Sequence, residues 1–335
     1  MFDFSAKLLP FVGRYDQILV VQSRALRELG CSPYPTLETK DNEQDKTLAT
    51  VEHIWNFLLE QRATRSSLLV NVGGGVVTDL GGFAAATFKR GMDYVNMPTT
   101  LLAMVDAGIG GKTGVDYGQM KNMIGAIQEP TDTIIDTRWL ASLPGTQLLS
   151  GYAEMLKHGL IADEMHWNGL LAYDIAQEPV NGTLEKLIRR SVEIKRTIVA
   201  QDPKETGLRK VLNFGHTVGH AIETLSTLNT PLSTVPHGYA VLYGMIAESY
   251  ISHVKLGLDK GVITRLASLM NEYYGKPQCN CKDIDRLIAV MRQDKKNRSK
   301  DEFNFTLLKS IGNPVINQVA DVQLIKESMD FLLSL

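Results

Sequence analysis

Two histidines four residues apart, His216 and His220, form the pattern in this chain that is best suited to chemistry. If the segment is helical, both imidazoles lie on one face of the helix. The pattern differs from the zinc-protease motif H-E-x-x-H, because Thr217 occupies the position of the glutamate. A metal site therefore needs further ligands, and Glu154 and His237 are the candidates. Two histidines and one carboxylate are typical of a catalytic zinc site that leaves one position open.

The spacing of these histidines is also compatible with a helix that binds no metal. Pairs of histidines four residues apart occur on ordinary, half-exposed helices. The metal hypothesis therefore depends on whether Glu154 and His237 approach His216 in the folded chain.

A glycine-rich turn in the first half of the chain indicates a nucleotide site. An apolar strand is predicted over residues 67–72, Gly73, Gly74 and Gly75 follow it, and small apolar residues then predict a helix over 80–89. Glycines in such a turn let backbone N–H groups approach a pyrophosphate at the N-terminus of the helix. The spacing is not G-x-G-x-x-G, and tight packing without a ligand explains such turns equally well.

Polar groups further along the chain strengthen the nucleotide hypothesis. Thr99 and Thr100 follow a short predicted strand, where hydroxyl groups are well placed to bind a cofactor. The later run Gly110-Gly111-Lys112-Thr113 ends like an ATP-binding P-loop, but Asp106 stands where that motif needs glycine. We therefore reject a P-loop and expect Lys112 to hold a phosphate or carboxylate group.

The second half of the chain predicts mainly helices, and we place a domain boundary near residue 145. The predicted fold class is an α/β nucleotide-binding domain over residues 1–145, followed by an all-α metal-binding domain over residues 146–335. Helical patterns cover residues 147–176, 181–201, 210–228, 236–256, 260–274 and 282–293. A basic stretch with Lys295, Lys296, Arg298 and Lys300 predicts a solvated loop.

Composition excludes several classes of function. The 335 residues are 44% hydrophobic and carry a net charge of −2, so nucleic acid is not expected as the main partner. No uncharged apolar stretch reaches the ~18 residues that span a bilayer, and no secretory leader is recognisable. Cys31, Cys279 and Cys281 make neither a disulfide framework nor a cysteine-based zinc site. We expect free thiols and a cytoplasmic protein.

Taken together, these motifs resemble the dehydroquinate synthases and, more broadly, the sugar phosphate cyclases. The resemblance extends from about Glu43 to Gly312. It is carried by Gly73-Gly74-Gly75-Val76-x-x-Asp79, Pro98-Thr99-Thr100-Leu101-Leu102, Asp106 with Gly110-Gly111-Lys112-Thr113, Lys121-Asn122-Met123-Ile124-Gly125, Ala153-Glu154-x-x-Lys157, Gly207-Leu208-Arg209-x-x-Leu212-Asn213-x-Gly215-His216-Thr217-x-Gly219-His220 and His237-Gly238.

The resemblance implies two cofactors. A zinc or cobalt ion would be bound by Glu154, His216 and His237, with His220 beside the site or facing the leaving phosphate. NAD would contact the first domain. The implied contacts are Glu43, Lys46, Gly74, Gly75, Val76, Val77, Thr78, Asp79, Thr99, Thr100, Asp106, Lys112, Lys121, Trp139, Leu140, Ala141 and Ser142.

The resemblance also implies the reaction. Family members convert 3-deoxy-D-arabino-heptulosonate 7-phosphate into 3-dehydroquinate and phosphate, by transient oxidation at C5, elimination of phosphate, reduction and aldol closure. Asp106 and Lys157 would orient hydroxyl groups or relay protons, and Lys195 with Arg209 would bind the substrate carboxylate. The implied phosphate contacts are Lys112, Asn122, Asn213, His220 and, from the second subunit of a homodimer, Arg90.

Three alternatives remain. A cyclitol synthase of the same superfamily has a substrate without a carboxylate, so the presence of Lys195 and Arg209 favours a dehydroquinate synthase. A metal-dependent alcohol or glycerol dehydrogenase would release NADH, but a simple alcohol needs no phosphate or carboxylate contacts. A catalytically inactive homologue would keep the fold alone. Thr78, Asp116 and Tyr239 depart from the family pattern without removing an expected ligand.

Overall fold

The structure of the protein is a computed structural model, which describes residues 4–29, 32–118, 120–178, 180–229, 235–292 and 303–335. The chain divides into two compact units, Met1–Leu143 and Pro144–Leu335. Cys31 and the predicted basic loop with Lys295, Lys296, Arg298 and Lys300 lie outside the described residues. Among the described residues, no helix combines the length and the apolar character that crossing a membrane requires.

A parallel five-stranded sheet, in the order β2-β1-β3-β4-β7, forms the centre of the first unit. Its central strands are buried along their whole length, which explains their continuous apolar sequences. A two-stranded antiparallel hairpin, β5–β6, accompanies the sheet. The strands are β1 (Ile18–Ser23), β2 (Thr36–Thr39), β3 (Leu68–Gly73), β4 (Asp93–Pro98), β5 (Lys112–Tyr117), β6 (Met120–Ile127) and β7 (Asp132–Thr133), and the helices are α1 (Phe4–Leu8), α2 (Leu48–Glu60) and α3 (Gly75–Thr87).

Buried amides fix the loops at the carboxyl ends of the central strands. Asn71 on β3 donates to Asn96 Oδ1 on β4 over 3.0 Å, and Asn96 donates to the carbonyl of Gly108 over 3.1 Å. Gly81 on α3 is required here, because a Cβ at this position would lie 1.9 Å from Asn71 Oδ1. The glycine turn is shorter than expected, since α3 begins at Gly75 rather than at residue 80.

The second unit is helical, as predicted, but two of the predicted helices are interrupted. Asp163 ends the first after Ala162 and caps the next by accepting a hydrogen bond from His166 N over 3.0 Å. The predicted helix over 210–228 begins as a tight turn, Leu208–Asn213, and restarts at His216. The helices are α4 (Gly145–Ala162), α5 (Glu164–Ala172), α6 (Gly182–Gln201), α7 (His216–Asn229), α8 (His237–Leu256), α9 (Lys260–Leu269), α10 (Ile284–Met291) and α11 (Val322–Ser334).

An antiparallel hairpin that the helical patterns did not predict packs against this helical unit. It consists of β8 (Phe303–Ser310) and β9 (Asn313–Ala320). Thr217 Oγ1 on α7 donates to the carbonyl of Asn304 over 3.3 Å, and Leu308 N donates to Ser252 Oγ on α8 over 3.0 Å. The hairpin therefore joins α7 to α8 near the candidate histidines.

The histidine buried between α5 and α6 makes the stability of the second unit dependent on pH. His166 Nε2 lies 2.8 Å from Ser191 Oγ, and burial lowers the pKa of His166 to about 4. Between that value and the ordinary ~6.5, the unfolded chain binds a proton that the folded chain does not. We expect the free energy of unfolding to fall by about 2 kcal/mol between pH 7 and pH 5 from this residue.

The substitution His166→Gln should reduce the difference between the unfolding midpoints at pH 7 and pH 5, measured by thermal or urea denaturation. His53→Gln, at an exposed position of α2, is the matched control and should leave that difference unchanged. An unaltered pH dependence in His166→Gln would contradict the assignment.

Candidate active site

A buried carboxylate on α4 lies at the centre of the candidate site. Glu154 is fully buried, and its Oε1 lies 3.4 Å from His216 Nε2 and 3.3 Å from His237 Nε2. Its Oε2 forms an ion pair with the buried ammonium of Lys157, one turn further along the same helix. The structure thus brings together three residues that are distant in sequence.

The crossing of α7 and α8 brings the two histidines to the carboxylate. His216 is the first residue of α7, and His237 is the first residue of α8. The helices approach closely because glycines face each other: a Cβ on Gly244 would lie 1.9 Å from the carbonyl oxygen of Gly215. Likewise, a Cβ on Gly219 would lie 2.9 Å from the carbonyl oxygen of Ala240. Larger residues would separate the helices and with them the two imidazoles.

Hydrogen bonds on the far side of each ring direct its Nε2 towards Glu154. His216 Nδ1 lies 3.1 Å from the carbonyl oxygen of Phe214, and His237 Nδ1 lies 3.1 Å from Glu223 Oε2. Both partners are acceptors, so each Nδ1 carries the proton. Such outer partners are typical of metal-binding histidines, because they fix the ring and its tautomer.

The separations within this group fit a single metal ion. The candidate ligand atoms of Glu154, His216 and His237 all lie within 4.8 Å of one another. Ligand atoms about 2.1 Å from a tetrahedral zinc are about 3.4 Å apart, close to the two distances found here. Glu154 Oε1 faces the Nε2 atoms of both imidazoles, whereas Oε2 is paired with Lys157. The residues therefore fit the metal that the sequence analysis anticipated, while their role as ligands stays a prediction.

The charges of the group also suit a cation. Burial by itself would raise the pKa of Glu154, but the Lys157 ammonium and the two imidazoles hold it well below its usual range. Burial, together with Lys157, holds the pKa of His216 well below its usual range, so this ring is neutral. Burial opposes the charged form of His237, but Glu223 and Glu154 raise its pKa to about 10. A metal ion would replace the Nε2 proton of this ring.

Two neighbouring residues extend the group. The His220 ring centroid lies 5.1 Å from that of His216 and 5.9 Å from that of His237. Glu223, one turn beyond His220 on α7, was not among the predicted site residues. Its position three residues after His220 on the same helix is the signal that could have identified it.

The residues predicted to bind the substrate carboxylate are buried in the second unit. Lys195 on α6 is 6% exposed and Arg209 is 2% exposed. The turn Leu208–Asn213 packs against α4 and α6. Asp202 precedes this turn and stabilises it by accepting hydrogen bonds from backbone amides, including that of Arg209 over 3.0 Å.

The side chains of this segment already have partners. Arg209 Nη1 donates to the carbonyl of Pro203 over 2.7 Å, and Asn213 Nδ2 donates to Glu205 Oε1 over 2.7 Å. Glu205 therefore lies beside one of the residues predicted to contact phosphate. Glu205 was not among the predicted site residues, and its left-handed backbone, with φ of 56°, is visible only in the structure.

In the first unit, the glycine turn leads directly into the N-terminus of α3. The N-terminus of α3 has no side-chain cap, since Gly74 occupies the capping position. A Cβ on Gly74 would lie 3.2 Å from Thr100 Cγ2, so the ends of β3 and β4 adjoin there. Uncapped N–H groups at a helix N-terminus are a common site for a pyrophosphate.

Several of the predicted NAD contacts form one cluster of charges beside this turn. Lys46 Nζ lies 2.6 Å from Asp79 Oδ2 and donates to Asn122 Oδ1 over 2.5 Å. Lys121 Nζ lies 3.4 Å from Glu43 Oε1. Burial opposes the charged form of Lys46, but Asp79 and Glu43 outweigh it and raise the pKa of this lysine.

Other predicted contacts differ in exposure. Thr78, which departs from the family pattern, is buried. Its hydroxyl donates to the carbonyl of Gly75 over 3.0 Å, so the first turn of α3 accommodates the side chain. Val77, Trp139 and Leu140 are also buried. The predicted contacts that are half-buried or exposed include Val76, Thr100, Asp106, Lys112, Ala141, Ser142 and Arg90.

Sequence comparisons place the chain among known enzymes. The family described as "3-dehydroquinate synthase N-terminal" matches residues 36–150, and "3-dehydroquinate synthase C-terminal" matches residues 151–297. The 3-dehydroquinate synthase of Parabacteroides distasonis is 40% identical over 98% of this chain and 95% of its own length. That of Rippkaea orientalis is 40% identical over 86% of this chain and 78% of its own length.

Solved structures give a consistent picture of the fold. A 2-epi-5-epi-valiolone synthase from Streptomyces hygroscopicus subsp. jinggangensis, with NAD+ and Zn2+ bound, is similar with a TM-score of 0.84 and 27% identity, over 94% of this chain and 90% of the other. A 2-deoxy-scyllo-inosose synthase, 24% identical with a TM-score of 0.79 over 96% of this chain and 92% of the other, shares the fold. Because both family descriptions match and together cover most of the chain, the protein belongs to the 3-dehydroquinate synthase family.

Proposed function

We propose that the protein is a 3-dehydroquinate synthase, which converts 3-deoxy-D-arabino-heptulosonate 7-phosphate into 3-dehydroquinate and phosphate. The observation that carries the proposal is the buried group Glu154, His216 and His237 in a chain that matches this synthase along almost its whole length. Curated relatives from several bacteria carry the same name.

Glu154, His216 and His237 are proposed to bind a divalent metal, zinc or cobalt, both of which suit a site of one carboxylate and two imidazoles. When bound, the metal would acidify a substrate hydroxyl group, and NAD would accept and later return a hydride. The proposed NAD site is the N-terminus of α3 with Lys46, Asp79 and their neighbours. The NAD+ and Zn2+ in the related valiolone synthase support both assignments.

The remaining residues of the second unit would bind the substrate and move protons. Lys157 is held beside Glu154 by the ion pair, where it would orient a substrate hydroxyl group or relay a proton. The guanidinium of Arg209 and the ammonium of Lys195 would bind the substrate carboxylate, because a planar guanidinium can make two parallel hydrogen bonds to it. Asn213 and His220 would contact the phosphate.

The first unit would contribute the other polar contacts implied by the family. Lys112 and Asn122 are proposed to contact the phosphate, and Asp106 to orient a hydroxyl group. Asn122 is held in a left-handed conformation, with φ of 51°, by two contacts. Its N–H donates to Asp116 Oδ1 over 2.7 Å, and its side-chain oxygen accepts from Lys46. Asp116, which departs from the family pattern, therefore stabilises the backbone of this loop.

A cyclitol synthase is the second candidate. The two similar solved structures are, by their names, a valiolone synthase and a 2-deoxy-scyllo-inosose synthase. The buried pair Lys195 and Arg209 favours the dehydroquinate synthase, because an ammonium and a planar guanidinium suit a carboxylate that the substrate of a cyclitol synthase lacks. A protein of Sinorhizobium meliloti named as a probable glycerol dehydrogenase, with a TM-score of 0.67 and 14% identity over 98% of this chain and 93% of the other, shares the fold alone.

Phosphate release measures the proposed reaction directly. The wild type should release phosphate from the seven-carbon keto-acid phosphate without accumulating NADH. Arg209→Lys keeps the charge but loses the paired hydrogen bonds, so kcat/KM should fall about 100-fold. Arg196→Lys, on the exposed side of α6, is the control and should retain activity. Equal turnover of a carboxylate-free heptulose 7-phosphate would instead support a cyclitol synthase, and accumulating NADH would support a dehydrogenase.

The substitution Glu154→Gln tests the proposed ligand set by removing one charge without changing the size of the side chain. We expect its zinc affinity to fall at least ~100-fold, measured by competition with a chelator, and phosphate release to be lost. Glu164→Gln, at an exposed position of α5, should keep the wild-type affinity. Wild-type affinity in Glu154→Gln would exclude this carboxylate as a ligand.

We also infer that the protein is a cytoplasmic homodimer in which Arg90 reaches the substrate phosphate of the second subunit. Arg90 is exposed and has a left-handed backbone with φ of 70°, so it lies on a sharp bend of the surface between α3 and β4. Cys279 and Cys281 are free, which is typical of a reducing compartment.

Mixing two inactive variants tests the shared site. Subunits with Arg90→Ala and subunits with Glu154→Gln should each be inactive alone. After unfolding and refolding together, half of the dimers are hybrids with one complete site, so about a quarter of the wild-type activity should return. No recovery, although native mass spectrometry shows hybrid dimers, would place Arg90 in its own subunit's site.

A further inference from the structure

The N-terminus of α7, which carries His216, has no cap of its own. Gly215 occupies the capping position with φ of 79°, a conformation that favours glycine. A Cβ there would lie 2.5 Å from Met245 Cγ and 2.9 Å from the carbonyl oxygen of Val241. The close approach of α8 therefore excludes the serine, threonine or aspartate that would ordinarily satisfy the first N–H groups of the helix.

A buried carboxylate on α8 supplies the missing acceptors. Glu248 is fully buried, and its Oε2 accepts a hydrogen bond from Gly215 N over 2.7 Å. Its Oε1 accepts from Thr217 N over 2.9 Å and from Val218 N over 3.1 Å. Both oxygens are used, and three backbone amides at the start of α7 are satisfied by one side chain.

These three amides surround His216 in sequence. The N–H groups immediately before and after the histidine both bind Glu248, so the backbone from which the imidazole projects is fixed to α8. His237, the other proposed imidazole ligand, is the first residue of that same helix. Glu248 therefore joins the backbone of one histidine to the helix that carries the other.

The carboxylate also suits the charge of the site. The N-terminus of a helix carries a partial positive charge, which is unfavourable for a neighbouring cation. His216 and His237 are both first residues of helices, so a metal bound by them would lie near two such ends. A carboxylate at the start of α7 offsets one of them.

We propose that Glu248 is a positioning residue of the metal centre, which holds His216 in place by capping α7. The inference rests on the proposed ligand set, and nothing places Glu248 against the substrate. Its role needs two acceptor oxygens. A glutamine has one oxygen, so in Glu248→Gln the amide NH2 group would face either Gly215 N–H or the N–H groups of Thr217 and Val218.

Titration of the metal-free protein with Co2+ tests the proposal, because the visible spectrum of Co2+ reports ligand geometry independently of turnover. Glu248→Gln should bind Co2+ about 10- to 100-fold more weakly than the wild type, with altered visible bands. Ser252→Ala is the control on the same helix. It removes hydrogen bonds to the carbonyl of Glu248 and from Leu308 N without touching the start of α7. It should lose stability but keep the affinity and the spectrum.

A second measurement separates positioning from general destabilisation. In a His216→Ala background, Glu248→Gln should weaken Co2+ binding no further, because the residue through which it acts is gone. If Glu248→Gln does not fold, Glu248→Asp, which keeps both oxygens at shorter reach, replaces it and should show an intermediate loss of affinity.

The outcomes are distinguishable. A wild type that binds no Co2+ would overturn the proposed ligand set itself. A wild type that binds Co2+ while the Glu248 variant binds it with equal affinity and an identical spectrum would overturn the positioning role alone. An equal further loss in the His216→Ala background would show that Glu248 acts by another route.

Discussion

The contact between the glycine-lined faces of α7 and α8 is the constraint on which the candidate metal site depends. Gly215 and Gly244 let the two backbones approach until a Cβ on Gly244 would overlap a carbonyl oxygen. Because His216 and His237 each begin one of these helices, the crossing places both imidazoles at the same point. Glu154 then needs only to project from α4 to complete the group, and its burial keeps it there.

The same arrangement buries several charged side chains close together. Glu154 and Lys157 are almost wholly excluded from solvent, and Glu223 and Glu248 add two more carboxylates within α7 and α8. Burying such groups is costly unless each has a partner. Each carboxylate has one: Lys157 for Glu154, the His237 ring for Glu223, and backbone amides for Glu248. Each of the three carboxylates is therefore held in place by another group.

Part of this arrangement could be predicted from sequence. Residue type and the helical spacing from His216 to His220 suggested a metal, and Glu154 and His237 were identified as possible partners by their chemistry. The parallel sheet was visible in its continuous apolar strands. Glu248 was not predicted, because its role depends on a helix crossing and on an N-cap that carries no side chain. Hairpin β8–β9 was not predicted, and Asp163 was not recognised as the residue that separates α4 from α5.

Hairpin β8–β9 has a consequence for the order in which the protein is made. It is bound to α7 through Thr217 and Asn304, 87 positions apart, and to α8 through Ser252 and Leu308, 56 positions apart. Contacts this remote in sequence form late, after the chain between them has been synthesised. All three candidate metal ligands leave the ribosome before the strand that ties their helices together. Until β8 has been synthesised, α7 and α8 are therefore held together by contacts that do not involve this strand. The native arrangement of the second unit is complete only when β8 packs against both helices.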